Sequence, residues 1–85
     1  MLIVDVRTPE EYAQGHLKGA ILIEYQNILS EIFAHIQSKD DHIGLYCAAG
    51  MRSGFAAHVL TDHGFTNAVN LGSYLDLLHQ NPALK

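Results

Sequence analysis

The chain of 85 residues carries five Lys and Arg against nine Asp and Glu, a formal net charge of −4, with 48% hydrophobic residues and one cysteine. That length allows one small domain over residues 1–85, held by packing, because a single cysteine excludes an internal disulfide and a cysteine-based zinc site. The few, scattered cations argue against nucleic acid as a partner, and no apolar run approaches the roughly 18 residues of a membrane span.

Leu2 to Val6 reads as a first strand, ending at Asp5-Val6-Arg7. Thr8-Pro9-Glu10-Glu11 is a full helix start: Thr8 caps, Pro9 suits the first helical position and Glu11 closes a capping box. That helix stops by Gly15, and a loop with two glycines leads to a strand at Ile21 to Ile23. Asn27 is expected to cap a helix from Ile28 to about Gln37, with Ile28, Leu29, Ile32, Phe33 and Ile36 as its buried stripe. Ser38 to Asp41 is a polar turn, and Ile43 to Tyr46 a short buried strand. Met51 to His63 reads as a helix with Phe55, Ala56, Val59 and Leu60 inward and Gly64 as its left-handed stop. Phe65 to Asn70 follows as a strand. Tyr74 to His79 is the last helix, and residues 80–85 form a loose tail in which Pro82 blocks extension.

Strands alternating with helices over short loops predict an α/β domain with a parallel sheet of about four to five strands and helices on both faces. In such sheets ligands gather beyond the carboxyl ends of the strands. Cys47, Asp5 with Arg7, and Asn70 to Ser73 all fall there and are expected around one shallow bowl. The chain starts directly in a strand, so a preceding strand or leader is left open. As written it has no secretory leader and reads as cytoplasmic; with a leader upstream it reads as periplasmic.

The chemistry centres on Leu45-Tyr46-Cys47-Ala48-Ala49-Gly50-Met51-Arg52-Ser53. Cys47 leaves a strand and faces the start of a helix, whose free N–H groups stabilise an anion and lower a thiol below its ordinary value of about 8.5. Ala48, Ala49 and Gly50 let the loop curl its amides towards the sulfur. Arg52 adds a permanent positive charge, and Ser53 offers a hydroxyl at the rim. The bland alternative is a buried, inert cysteine packed as a small hydrophobe. The six histidines have no spacing that would hold a metal; His58 and His63 stand at i, i+5.

Two blocks resemble the rhodanese family of sulfurtransferases, in its small single-domain bacterial form of the phage-shock type. Asp5-Val6-Arg7-Thr8-Pro9-Glu10-Glu11-Tyr12 with Gly15-His16-Leu17-Lys18-Gly19-Ala20 is similar to the family pattern D-V-R-x-x-x-E-[FY] and G-H-[IL]-x-G-A. Cys47 to Ser53 resembles its active loop C-x-x-G-x-R-S, and Gly64-Phe65 with Val69-Asn70-Leu71-Gly72 is a weaker third match. The resemblance implies a three-layer rhodanese-like domain and a double displacement without a metal or cofactor. Cys47 takes a sulfur from a small anionic donor such as thiosulfate and passes it, as a persulfide, to cyanide, a thiol or a protein. Arg52 would draw in the donor, while Ala48, Ala49, Gly50, Met51 and Ser53 would bind it. Asp5 and Arg7 would steady the surrounding loops. A persulfide carrier or binding module is the alternative of a different class. A cysteine phosphatase or arsenate reductase fits less well, because those loops place five residues before the arginine and this one places four. Where the family has a second glycine before the last helix, this chain has Ser73, which would be strained by about 1 kcal/mol if that position requires a positive φ. The family's usual tryptophan after it is absent.

Overall fold

The computed structural model describes residues 1–85. Four strands, β1 (Leu2–Asp5), β2 (Ile21–Leu22), β3 (Ile43–Cys47) and β4 (Ala68–Ser73), form one sheet in the order β2-β1-β3-β4, every neighbouring pair parallel. Parallel pairing needs a crossover between strands. These are supplied by α1 (Pro9–Ala13), α2 (Ile28–Glu31) and α3 (Met51–Asp62), with α4 (Tyr74–Gln80) following β4.

The two-residue period of the strands divides the core into two layers. Val4, Val6, Ile43, Leu45 and Cys47 face one way, onto Ile28, Ile32, Ala56, Ala57, Leu60 and Phe65. Tyr46, with Ile3, faces the other, onto Leu17, Ala20, Leu71, Tyr74, Leu77 and Leu84. All five residues of β3 are buried, as a central parallel strand requires. Gly44 belongs to this packing: a side chain there would meet Leu71 Cδ1 at 2.7 Å.

Local signals hold where they are short-range. Thr8 and Glu11 form the expected capping box, and α3 closes just before Gly64. Elsewhere the structure corrects the sequence reading. The helix expected from Ile28 to Gln37 is a 3-10 turn at Tyr25–Asn27, the single α turn of α2, and a second 3-10 turn at Ile32–His35. Asn27 makes no side-chain cap: it is the last residue of the first 3-10 turn, at φ −105° and ψ 7°, and lacks the extended backbone of an N-cap. The tighter winding keeps Ile28 and Ile32 buried but turns Phe33 outward, with its ring 5.8 Å from that of Phe65.

On α3 the inward face is Ser53, Ala56, Ala57 and Leu60, so Phe55 lies outside. The last strand is shifted to Ala68–Ser73. Phe65 instead fills the core, while Thr66 and Asn67 bond to the Lys39 and Asp40 main chain. Residues 80–85 are docked rather than loose. Asn81 caps a 3-10 turn at Pro82–Leu84, Leu84 packs under the sheet, and its carbonyl accepts the Lys18 N–H at 2.6 Å.

Candidate active site

Cys47 is the last residue of β3, on the α3 side of the sheet, and the Ala48-Ala49-Gly50 turn carries the chain straight into α3. Gly50 takes φ +97°, a left-handed conformation that any side chain would strain. That conformation aims its N–H back at the sulfur. The Gly50 amide donates to Cys47 Sγ at 3.0 Å, and the Ser53 amide and hydroxyl both stand 3.4 Å from it. Burial acts to raise the Cys47 thiol, but the Ser53 hydroxyl and the amides of Ser53, Ala49 and Gly50 outweigh it and bring the group below its ordinary value. The arrangement is a nest of donors able to hold an anionic sulfur.

The residues expected beside Cys47 separate into three groups. Ala48, Ala49 and Met51 stand at the surface around the loop, Met51 being 84% exposed, and Gly50 is half-buried. Ser53 is not at the rim: it is fully buried beneath the sulfur. Arg52 is not a free anion receptor either. Its Nη1 and Nη2 donate to Glu11 Oε1 and Oε2 at 2.8 and 3.1 Å, binding the start of α3 to α1. That pairing, helped by Thr8, holds the Glu11 carboxyl down to about 2. Glu11 raises the Arg52 guanidinium above its ordinary value, and the charge of a Cys47 thiolate adds to this. The surface hollows of the domain, beside Phe33 and Lys39 and beside Met1 and His42, lie away from Cys47.

Asp5 and Arg7 are joined to each other under the opposite face of β3. Arg7 Nε and Nη2 bond to Asp5 at 2.9 and 2.7 Å, and Nη2 also donates to the Gly15 carbonyl at 2.7 Å. The Tyr46 hydroxyl donates to Asp5 Oδ2 at 2.8 Å and accepts the Leu17 N–H at 3.0 Å. The Arg7 guanidinium lies 4.5 Å from the Tyr74 ring centre. Asp5 raises the Arg7 guanidinium above its ordinary value, and burial raises the Tyr46 phenol. The network touches the residue before Cys47 and the loop after α1 but not the sulfur. The conspicuous Tyr12 and His16 are likewise scaffold: their rings stack at 3.7 Å, and the Tyr12 hydroxyl holds the Ala20 carbonyl at 2.7 Å.

Ser73 escapes the expected strain. The left-handed turn falls on Gly72, at φ +99°, while Ser73 sits at φ −95° and caps α4 by accepting the Asp76 N–H at 3.1 Å. The sequence places Asn70 at the strand end near Cys47 but assigns it no part in the site. The β3–β4 pairing slips after Leu45–Asn70, so that Tyr46 pairs with Gly72 and Leu71 is the extra residue of a bulge. Asn70 thereby reaches Ser53 and the Gly50 carbonyl. The signal for it is its position at a strand end, two residues before Gly72.

Comparison with known proteins agrees with this fold. A model of the rhodanese-like domain matches residues 1–77. The chain is 38% identical over 74 residues to the thiosulfate sulfurtransferase PspE of Escherichia coli, covering 87% of this chain and 71% of that protein. It is 36% identical to thiosulfate sulfurtransferase 16 of Arabidopsis thaliana, covering 84% and 68%. Among solved structures, an E. coli rhodanese with anions superposes with a TM-score of 0.85 at 37% identity, covering 88% of each chain. With its parallel sheet and its cysteine loop, this chain belongs to the rhodanese-like family.

Proposed function

We propose that the protein is a sulfurtransferase that moves a sulfane sulfur from thiosulfate, or a related small anionic donor, through a persulfide on Cys47 to cyanide or a thiol acceptor. The Cys47 thiolate attacks the outer sulfur of the donor. The donor's S–S bond breaks, and sulfite leaves with the electron pair. An acceptor thiolate or cyanide then attacks the outer sulfur of the persulfide, and Cys47 departs as the thiolate that began the cycle. Each step is a displacement at sulfur and calls for no cofactor.

One observation carries this reading: the amides of Gly50 and Ser53 and the Ser53 hydroxyl converge on Cys47 Sγ. Such donors stabilise the attacking thiolate and the anion that each displacement leaves behind. A persulfide extends the side chain by one S–S bond, about 2 Å, towards the small residues Ala48 and Ala49 and the half-buried Gly50. Arg52, anchored by Glu11, balances the charge instead of gripping the donor, and Asp5 and Arg7 keep the strand end in place. The chain has no second cysteine, so the acceptor is an outside molecule.

A persulfide carrier serving a protein partner is the second reading. It is favoured by the apolar rim beside the loop, where Met51 and Phe55 are exposed and the Tyr25 ring meets Phe55 edge-on at 5.9 Å. Intact mass before and after thiosulfate, with Cys47→Ser as control, tests the chemistry. The expected result is a gain of one sulfur atom in the wild type alone, lost on adding cyanide. No gain, with the thiol still open to alkylation, overturns the persulfide. Slow turnover of small donors with a stable persulfide selects the carrier.

A further inference from the structure

The Ser53 hydroxyl has one proton and three acceptors around it: Asn70 Oδ1 at 2.7 Å, the Gly50 carbonyl at 3.2 Å and Cys47 Sγ at 3.4 Å. The orientation of the Asn70 amide is set by its other partners. Gly72 N–H, which can only donate, stands 3.0 Å from Oδ1, and the Gly50 carbonyl, which can only accept, stands 3.1 Å from Nδ2. Turning the amide over would face donor to donor and acceptor to acceptor. Oδ1 therefore looks at Ser53 as an acceptor.

A hydroxyl bond to oxygen at 2.7 Å is in the strong range, whereas a neutral thiol sulfur is a weak acceptor. While Cys47 is a thiol, the proton rests on the Asn70 side. A thiolate or persulfide anion is a charge-assisted acceptor and reverses that order. Asn70 Oδ1 keeps its bond from Gly72 when the hydroxyl turns away, so the turn leaves no orphaned buried acceptor.

We propose that Asn70 is a positioning residue for Cys47, holding the Ser53 proton while the sulfur is neutral and yielding it when the sulfur becomes an anion. Asn70 thus competes with the sulfur for its only hydroxyl donor, and the same side chain ties down the loop through Gly50. The charged groups on the surrounding elements do not duplicate this. Arg52 on α3 is bound to Glu11 on α1; Asp5 and Arg7 at the end of β1 are bound to each other; and His58 and Asp62, further along α3, pair together. Glu31 on α2 and Asp76 on α4 are exposed, and β4 has no ionisable side chain.

This inference deepens the reading of Cys47 as the reactive thiolate, but its test needs neither donor nor acceptor and so stands apart from the persulfide result. The thiol is titrated by the ultraviolet absorbance of the thiolate in the wild type, Ser53→Ala, Asn70→Ala and the double variant. Loosening of the loop acts in both serine and alanine backgrounds and cancels in the cycle. Relative to the Ser53→Ala background, Asn70→Ala in the presence of Ser53 is expected to raise the thiolate fraction about threefold at pH below the midpoint, a shift of about half a unit. Asn70→Asp keeps the acceptor and strengthens it; its effect in the presence of Ser53 is expected in the opposite direction. If Asn70→Ala does not fold, the Asn70→Asp cycle alone decides. Equal shifts with and without Ser53, or couplings of reversed sign, overturn the proposal.

Discussion

Arg52 and Glu11 meet edge to edge, guanidinium to carboxylate, and so bind the first turn of the helix after Cys47 to the first turn of the helix after β1. Glu11 also closes the cap on Thr8, accepting both the Thr8 N–H and its hydroxyl at 3.1 Å. One carboxylate thus fixes the start of two helices and holds Arg52 in place in the first turn of α3.

Because Glu11 is down at about 2 from an ordinary 4.5, its contribution to stability has a defined pH window. A depressed carboxyl stabilises the fold fully above the unfolded value, and the contribution is lost as pH falls from about 4.5 through about 2. Glu11→Gln is expected to cost about 1 kcal/mol at neutral pH, since the pair is partly exposed and the cap weakens. It should also flatten the acid limb of stability. Urea unfolding across that range checks this; an unchanged acid limb would mean the pair contributes nothing in solution. Arg52→Ala should slow sulfur transfer more than it weakens donor binding, and a change confined to KM would mean that Arg52 grips the donor directly.

The Asp5–Arg7–Tyr46 network makes a different prediction, of stability rather than chemistry. Arg7 is 6% exposed, so Asp5→Asn leaves a buried cation without its counter-charge and is expected to cost about 3–5 kcal/mol. Tyr46→Phe strands the Leu17 N–H and should cost about 1–3 kcal/mol. Both are large against the 5–15 kcal/mol typical of a domain. Tyr46→Phe protein that remains folded should still accept alkylation at Cys47. Loss of reactivity without loss of stability would place the network in the chemistry.

Ser73 supplies a third test. Its φ of −95° and its bond from the Asp76 N–H make it an N-cap. Ser73→Gly, which restores the glycine pair of the family pattern, is therefore expected to lower stability by a few tenths of a kcal/mol, and Ser73→Ala by about 1 kcal/mol. A stabilising Ser73→Gly in thermal unfolding would reveal strain at that position.

The parts of this protein legible in its sequence are those that neighbouring residues settle among themselves. The Thr8–Glu11 box, the strand at Ile43 and the cysteine loop running into a helix each depend on contacts within a few residues. The segment from Ile28 departs from its apparent helical pattern because apolar spacing of three and four serves an α turn and a 3-10 turn alike. Its winding was decided by packing of Ile28 and Ile32 onto the sheet. The strand placed at Phe65 moved for a similar reason: pairing with β3 begins at Ala68, and Phe65 is worth more as core than as strand.

The sequence by itself determined an α/β chain in which the only cysteine ends a strand and faces a helix start, because strand period, capping chemistry and the small-residue loop are written locally. Only the tertiary structure decided what surrounds that cysteine. Arg52 found Glu11 across 41 residues and Ser53 found Asn70 across 17. The register slip in β4 set Gly72 opposite Tyr46, and the left-handed φ falls on Gly72 and not on Ser73. Such partners are chosen when the sheet closes and buried polar groups must all be satisfied at once, and no local spacing encodes that choice.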